Sequence, residues 1–267
     1  MTRIAVITCA SSGIGEATAL RLAREPDLRL VLVARREDRL RALAARIGQG
    51  ASHVAVDLTA EDAPARVREH VEGLGDPLGL LVNNAGAAWR ATFADGGYEN
   101  VRRTMEVNFD AVLRLTEALL PLLRAAAPSA IVNVSSTAGR VARGGSGAYS
   151  ASKFALAGWS DALYLEEARH GVHVGLVLPG FITTEGFPQA ELTARPLTRR
   201  MVSTPEKGAE AIVQAGLGRR PERYVPRGYG VAAALRVVAP RLVRRVLGGG
   251  GAQVMTTRTG ADAADER

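Results

Sequence analysis

The chain has 267 residues, of which 47% are hydrophobic and 23% charged, and its formal net charge at neutral pH is +7. This length and composition fit one folded α/β domain with a conventional core and exclude a largely disordered chain. The excess positive charge comes from arginine without interleaved aromatic residues, so we expect a solvated basic surface and no nucleic-acid partner.

Sequence features also bear on metal binding and on location. The single cysteine, Cys9, excludes an intramolecular disulfide and a cysteine-cluster site, and the four histidines lack the spacing of a ligand set, so we expect no metal. The chain begins with a strand-like segment in place of a secretory leader, and it has no run of roughly 18 to 20 apolar residues that could span a membrane. We therefore expect a cytoplasmic protein.

Short β-branched apolar runs alternate along the chain with longer segments whose apolar residues recur at helical intervals. The predicted strands are 4–8, 29–34, 53–57, 78–83, 130–135 and 173–178. The predicted helices are 15–25, 36–47, 63–74, 98–123, 148–170 and 205–218. This alternation predicts a single doubly wound α/β domain over 1–247, with a central parallel sheet flanked by helices.

A glycine-containing turn joins the first predicted strand to the first helix. Its sequence is Thr8-Cys9-Ala10-Ser11-Ser12-Gly13-Ile14-Gly15. A turn of this kind brings backbone amides and the positive end of a helix dipole to a pyrophosphate. We therefore expect a dinucleotide to bind at Ser11, Ser12, Gly13, Ile14 and Gly15.

The end of the second predicted strand bears on which dinucleotide is bound. An acidic residue there would accept hydrogen bonds from the ribose hydroxyls of NAD, but the sequence has Arg35 and Arg36. These guanidinium groups can bind a 2′-phosphate, to which Ser11 or Ser12 can donate a hydrogen bond. The pattern favours NADP(H) over NAD(H); the alternative is that two exposed arginines merely begin a helix.

Tyr149 and Lys153 are four residues apart and therefore share one face of a predicted helix. A strand that ends in serines precedes them, and Ser136 lies thirteen residues before Tyr149. Carbonyl reduction delivers a hydride to carbon and a proton to oxygen, so it needs a well-placed acid. The pKa of tyrosine starts near about 10, and a neighbouring ammonium lowers it. We expect Lys153 to lower the pKa of Tyr149, so that this phenol could serve as such an acid.

These motifs, in this order, resemble the short-chain dehydrogenase/reductase family over roughly residues 3–218. The resemblance implies a Rossmann-type oxidoreductase that acts on CH–OH groups, with Asn108, Ser136, Tyr149 and Lys153 as catalytic residues. The family has a glycine where this chain has Cys9. We expect the added side chain to weaken cofactor binding.

The resemblance also implies further contacts with the cofactor. Asp57 follows the third strand at the family's adenine-binding position, and Asn83-Asn84-Ala85-Gly86 follows the fourth strand. A segment after the sixth strand matches the family's nicotinamide-binding segment. The implied cofactor residues are Asp57, Asn84, Ala85, Gly86, Tyr149, Lys153, Pro179, Gly180, Ile182 and Thr184. The family further implies a homodimer or homotetramer formed through helices 98–123 and 148–170.

The substrate-side loops contain Trp89, residues 140–147 and residues 185–203. Their apolar side chains predict a hydrophobic ketone or aldehyde, or an acyl-type substrate, and core packing is the alternative; these side chains are Phe181, Phe187, Leu192, Leu197 and Met201. Three nearby arginines could meet an anionic group: Arg195, Arg199 and Arg200. The alternative function is a non-catalytic NADP(H)-binding regulator that senses redox state, for which Cys9 is the supporting residue.

Residues 229–247 form a predicted amphipathic helix, which Pro240 would kink or divide. One of its faces carries Val231, Leu235, Val238, Leu242 and Val246. We favour packing over the substrate opening or against another subunit; the alternative is weak contact with an anionic membrane surface. Residues 248–267 are rich in glycine, threonine and aspartate, which predicts a disordered tail.

Overall fold

The computed structural model describes residues 2–185 and 201–248. Seven strands form its central sheet: β1 (Arg3–Thr8), β2 (Leu28–Ala34), β3 (Ala51–Ala55), β4 (Leu78–Asn83), β5 (Ser129–Val134), β6 (Val172–Pro179) and β9 (Glu222–Val225). The order across the sheet is β3-β2-β1-β4-β5-β6-β9, and all neighbours are parallel. Two short strands, β7 (Phe181–Ile182) and β8 (Val202–Ser203), form a separate pair. The predicted doubly wound fold is confirmed.

Helices cover both faces of this sheet. They are α1 (Gly13–Leu22), α2 (Glu37–Ile47), α3 (Ala63–Gly73), α4 (Phe93–Met105), α5 (Ala111–Ala125), α6 (Gly147–Glu167), α7 (Pro205–Gly216), α8 (Tyr229–Val238) and α9 (Pro240–Gly248). One large hydrophobic cluster joins the sheet to α1, α2 and α7. The other joins the opposite face to α3, α5 and α6.

The central strand β1 shows why the sequences of the strands are unbroken apolar runs. Ala5 and Ile7 belong to one cluster, and Ile4 and Val6 belong to the other. All four side chains are fully buried. Successive residues of a strand point to opposite faces, so a strand covered by helices on both sides needs apolar residues at every position.

Two elements differ from the sequence-based expectation. The helix predicted over 98–123 is two helices, α4 and α5, joined by a π-helical turn at Glu106–Asp110. The seventh strand, β9, was not predicted because only Val225 among its four residues is buried. Its pairing with β6, and not an apolar run, makes it a strand.

The C-terminal region is described only in part. Pro240 begins α9 and so divides the predicted helix of 229–247 into two. The predicted tail lies outside the described residues from 249 onward. Six substrate-side residues also lie outside them: Phe187, Leu192, Arg195, Leu197, Arg199 and Arg200. Within residues 2–185 and 201–248, no helix is long and apolar enough to cross a bilayer, and no cluster of side chains could hold a metal.

Candidate active site

The candidate site lies where the strand order of the sheet reverses. From β1 the chain continues to β2 and β3 on one side, whereas β4, β5 and β6 lie on the other. A crevice opens beyond the carboxyl ends of β1 and β4, as is general for doubly wound sheets. The glycine turn follows β1, and the Asn83–Gly86 segment follows β4, so both line this crevice.

The glycine turn disfavours a side chain at Gly13 and excludes one at Gly15. Gly13 has a left-handed backbone with φ of +59°, and a Cβ there would lie 3.1 Å from Thr184 Cγ2. At Gly15 a Cβ would lie 2.1 Å from the carbonyl oxygen of Cys9. The side chain of Ser12, the N-cap residue of α1, makes no capping hydrogen bond. The turn and this helix end therefore fit the pyrophosphate of a dinucleotide.

Cys9 occupies a strained position in the same turn. Its φ is +49°, a left-handed backbone conformation that residues other than glycine rarely adopt. Burial raises the pKa of its thiol. A hydrogen bond with Gly86 and the charges of Arg35 and Lys153 act to lower this pKa, but the effect of burial is larger. The thiol is therefore protonated at neutral pH, which disfavours the thiolate that a redox sensor requires.

Replacing Cys9 with glycine should relieve this strain. We expect Cys9→Gly to stabilise the fold by about 1 kcal/mol, since glycine adopts positive φ without steric cost. The measurement is urea-induced unfolding. Cys9→Ala is the matched control, because it removes the sulfur and retains the Cβ. Equal stability changes in the two variants would show that backbone strain at Cys9 is not the cause.

Thr8 joins the glycine turn to the segment after β4. Its hydroxyl accepts hydrogen bonds from the backbone amides of Asn84 (2.8 Å) and Ala85 (2.9 Å). The Asn84 side chain donates to the Thr8 carbonyl at 3.1 Å. One residue earlier, Asn83 donates to Asn133 Oδ1 at 2.9 Å across the sheet. These bonds fix both walls of the crevice, and a direct role of Asn84 and Ala85 in cofactor binding stays a prediction.

The segment after β6 passes over the glycine turn. Ile14 and Ile182 both approach Gly208 of α7, each to 3.3 Å from the position of a Cβ there. Thr184 lies against Gly13, as described above. The Pro179 carbonyl accepts a hydrogen bond from Ser136 at 3.3 Å. The predicted cofactor-binding residues of the two segments therefore line one crevice.

At the ribose end of the crevice, Arg36 and the turn serines form one polar cluster. The Arg36 guanidinium donates to Ser11 Oγ at 3.2 Å and to Ser12 Oγ at 2.9 Å. Arg35 is more exposed and lies 3.9 Å from the Asp57 carboxylate. A guanidinium beside two hydroxyl groups suits a phosphate. Arg36 therefore fits the predicted 2′-phosphate contact better than Arg35 does.

Asp57 lies in a turn beside this cluster. Its Oδ1 accepts hydrogen bonds from the Thr59 backbone amide at 2.9 Å and the Thr59 hydroxyl at 2.8 Å. Burial works to raise the pKa of this carboxyl group, but the Thr59 bonds and the Arg35 charge hold the pKa below its usual value. Asp57 is thus a fixed anion at neutral pH, and its predicted contact with adenine stays a prediction.

Lys153 and Asn108 meet behind the crevice. Lys153 is buried, and its Nζ donates to the Val134 carbonyl at 2.9 Å. Asn108 donates to the Ala87 carbonyl at 2.9 Å and accepts from the Ala87 amide at 2.7 Å. A Cβ on Gly86 would lie 3.2 Å from Lys153 Nζ and 3.4 Å from Asn108 Oδ1. Burial lowers the pKa of Lys153 to about 8.

Asn108 lies in the π-helical turn between α4 and α5. A π-turn inserts an extra residue into a helix and so changes the direction of nearby side chains, and such turns are frequent at functional sites. Besides its two bonds to Ala87, Asn108 donates to Ser152 Oγ at 3.0 Å. These three bonds satisfy its amide and hold it in one orientation.

Tyr149 lies beside Ser136 on the other side of Lys153. Ser136 is close enough to the Tyr149 hydroxyl to influence its pKa, and Lys153 Nζ is 5.9 Å from the centre of the Tyr149 ring. Burial raises the pKa of Tyr149, while Ser136 and the charge of Arg143 oppose that rise. The expectation that Lys153 lowers this pKa is therefore wrong for the protein alone, because burial of the phenol dominates.

The four predicted catalytic side chains thus gather at one end of the crevice, beside the glycine turn. Residues 3–194 match the family model described as short chain dehydrogenase. The chain belongs to the short-chain dehydrogenase/reductase family. The resemblance inferred from the motifs is confirmed, and with it an oxidoreductase activity of this family.

Known proteins are similar to this short-chain dehydrogenase over most of its length. Ketoacyl reductase HetN of Nostoc sp. (strain PCC 7120) is 29% identical over 213 residues, which are 79% of this chain and 74% of that protein. A 3-dehydrosphinganine reductase of Danio rerio is 29% identical over 88% of this chain and 75% of its own. A short chain dehydrogenase from Burkholderia cenocepacia, solved in complex with NADP, is 25% identical with a TM-score of 0.78, covering 92% and 97% of the two chains.

The sequence does not predict an ion pair that lies near the polar cluster of Arg36, Ser11 and Ser12 in this dehydrogenase. The Arg39 guanidinium binds both carboxylate oxygens of Glu185, at 2.5 and 2.9 Å. Glu185 also lies 4.0 Å from Arg36. Arg39 and Glu185 are 146 residues apart in the chain, so no local pattern could have connected them. They tie the segment after β6 to α2 across the crevice.

Two further residues lie beside the segment after β6 in the dehydrogenase. The guanidinium of half-buried Arg143 is 4.7 Å from the centre of the Phe181 ring. Tyr229, the first residue of α8, donates to the Met201 carbonyl at 3.1 Å. Its ring lies against Gly180, where a Cβ would be 2.3 Å from Tyr229 Cε2. A cation and two aromatic rings therefore lie beside this segment, and the charge of Arg143 acts on Tyr149.

Proposed function

We propose that this protein is an NADP(H)-dependent enzyme that interconverts a carbonyl and an alcohol, with Tyr149 as the general acid and base. The observation that carries the proposal is that Ser136, Tyr149 and buried Lys153 lie together at one end of the crevice. The turn fits a dinucleotide because its tight path through Gly13 and Gly15 leads into α1, whose first amides carry no side-chain cap. NADP(H), when bound, supplies or accepts the hydride.

Each residue of the site then has its own role in proton transfer. The raised pKa of Tyr149 keeps its phenol protonated at neutral pH, so it can donate to the carbonyl oxygen during reduction. Ser136 donates to the same oxygen from the adjacent position. Lys153, with a pKa of about 8, is mainly an ammonium group at neutral pH and favours the phenolate that proton transfer leaves. Asn108 holds the backbone of Ala87 next to Lys153.

A preference for NADP(H) over NAD(H) is supported by the cluster of Arg36, Ser11 and Ser12. We expect Arg36→Ala to weaken NADPH binding about 10- to 100-fold, as for loss of a charged hydrogen bond, and to leave NADH binding unchanged. Fluorescence titration with each nucleotide measures this effect. Arg41→Ala is the matched control, because Arg41 lies on the same helix and pairs only with Glu37 among the described residues. Equal losses for both nucleotides would contradict a 2′-phosphate contact.

We propose a hydrophobic ketone or aldehyde, or an acyl-type compound, as the substrate. The rings of Phe181 and Tyr229 on the substrate side support this class, and Arg143 suits a polar or anionic end. Two relatives are named for a ketoacyl group and for 3-dehydrosphinganine, which are carbonyl compounds. We also propose a cytoplasmic homodimer or homotetramer formed through α5 and α6, where Leu113, Leu120 and Trp159 line a surface hollow of about 390 Å³.

The test of this function is NADPH oxidation with a panel of carbonyl compounds. The panel contains aliphatic and aromatic ketones and aldehydes, steroids, acyl thioesters and small sugars. We expect turnover with the hydrophobic members and faster turnover with NADPH than with NADH. Turnover of the small sugars alone would contradict the hydrophobic substrate. Tight NADPH binding without any turnover would favour a non-catalytic regulator.

A further inference from the structure

The helices α8 and α9 expose an apolar surface. Twelve large hydrophobic side chains are exposed in the described part of the chain, and six of them belong to these two helices. They are Val231, Leu235, Val237, Val238, Leu242 and Val246, with exposed fractions from 42% to 78%. In α8 only Ala233 is buried, and α9 has no buried residue. This apolar surface therefore has little contact with the rest of the domain.

The same region is strongly basic. Five arginines lie within or just before the two helices: Arg227, Arg236, Arg241, Arg244 and Arg245. The sequence has no aspartate or glutamate from residue 223 to residue 261. In contrast to the arginines of α1 and α2, none of these five forms an ion pair with a carboxylate of the described residues. Their charge is therefore available to an external anion.

Apolar and basic residues occupy different sides of α9. At 100° per residue, Leu242, Val243 and Val246 fall within one arc of the helix, and the three arginines 241, 244 and 245 fall within the opposite arc. Leu242 and Val246 are 55% and 66% exposed. A helix with separate apolar and arginine-rich sides is typical of one that lies in the plane of a membrane surface.

We propose that α8 and α9 dock this protein on the surface of a bilayer that contains anionic phospholipids. The apolar side chains would enter the boundary between headgroups and acyl chains, and the arginines would bind lipid phosphates. Charge favours lipid over a second copy of the chain as the occupant. A second copy that met this surface with its own α8 and α9 would bring the same five arginines and no carboxylate from residues 223–261, so that symmetric contact would be repulsive.

The position of Tyr229 connects this surface to the active site. Tyr229 begins α8, and its ring lies against Gly180 next to Phe181. Docking through α8 would therefore bring the substrate side of the crevice close to the bilayer. This step rests on the proposed function: a hydrophobic carbonyl compound concentrates in the bilayer, and the enzyme would meet it there.

Vesicle co-sedimentation of the full chain tests the proposal. One set of vesicles is phosphatidylcholine alone, and the other is an equal mixture of phosphatidylcholine and phosphatidylglycerol. We expect binding to the anionic vesicles that falls at least about ten-fold without phosphatidylglycerol or in about 0.5 M NaCl, since salt screens the arginines. Unchanged binding under these conditions would overturn the electrostatic part of the proposal, and no binding would overturn all of it.

Two double variants locate the contact. Leu242→Ser with Val246→Ser removes apolar contacts, and Arg244→Gln with Arg245→Gln removes charge; each should lower vesicle binding. The control is Leu165→Ser, since Leu165 is 74% exposed but lies on α6. Wild-type binding by both double variants would overturn the assignment to α9.

Two further measurements separate this proposal from its rivals. Light scattering measures whether the protein is a dimer. If the Leu242→Ser and Val246→Ser pair dissociates a dimer, and the wild type does not bind vesicles, the surface would be assigned to a second copy and lipid docking would be overturned. Turnover of a water-soluble carbonyl compound reports on catalysis alone. We expect the double variants to retain that turnover, so a failure of docking is distinguishable from a failure of the proposed function.

Discussion

Tyr149→Phe is expected to lower kcat for carbonyl reduction by about 10²- to 10⁴-fold, the usual contribution of a positioned general acid. The variant keeps the aromatic ring beside Lys153 and removes only the hydroxyl group of Tyr149. Because the glycine turn and Lys153 keep their contacts, NADPH binding should change far less than kcat. Steady-state kinetics and a fluorescence titration of the same preparation measure the two properties.

Tyr164→Phe provides the matched control for this variant. Tyr164 lies on the same helix, α6, and its ring packs edge-on against His173 at 5.9 Å. The control loses one exposed hydroxyl group from the same helix and should keep wild-type turnover. Wild-type turnover in Tyr149→Phe itself would remove Tyr149 from the mechanism. Loss of NADPH binding in that variant would instead indicate a structural role for the phenol.

The parts of this fold that sequence predicts are those determined by burial on both sides of the sheet. Strand β1 is an apolar run because Ile4 and Ile7 enter different clusters, and the other long central strands follow the same rule. Strand β9 at the sheet edge has a single buried side chain, Val225, so its hydrophobic signal is weak. The π-helical turn around Asn108 is only five residues long and lies between two helical patterns, so helical periodicity alone does not predict it.

The candidate site also has parts that the sequence predicts and parts that it does not. Tyr149, Lys153 and the glycine turn were predicted because each motif is contiguous and its spacing within one element has a chemical reason. Contacts between distant segments have no such local sign, and Arg39 with Glu185 is an example. The pKa of Tyr149 was predicted in the wrong direction because it depends on burial, which a four-residue spacing does not reveal.

Lys153→Met is expected to lower activity and to raise stability. Loss of the ammonium beside Tyr149 removes the charge that favours the phenolate, so we expect kcat to fall about 100-fold or more. In the wild type, reduction should decline as the pH rises through about 8, where Lys153 loses its proton. The pH profile of kcat measures both effects, and a profile of the variant that still declines at about pH 8 would assign that decline to another group.

The gain in stability follows from the direction of the pKa shift. The pKa of Lys153 is about 8 in the folded protein and 10.5 ordinarily, so the unfolded chain binds this proton more tightly. Below pH 8 both states are protonated, and the buried charge costs the fold up to about 3 kcal/mol. As the pH rises from 8 toward 10.5 that cost disappears.

Lys153→Met should therefore stabilise the protein at pH 7 by up to about 3 kcal/mol and by much less near pH 10. Urea-induced unfolding at the two pH values measures the difference. Lys207→Met is the matched control, because Lys207 is the only other lysine and is exposed on α7. Equal stability changes at both pH values would mean that the buried ammonium carries no such cost. A gain at pH 7 with loss of turnover would show that the fold gives up stability to hold this charge beside Tyr149.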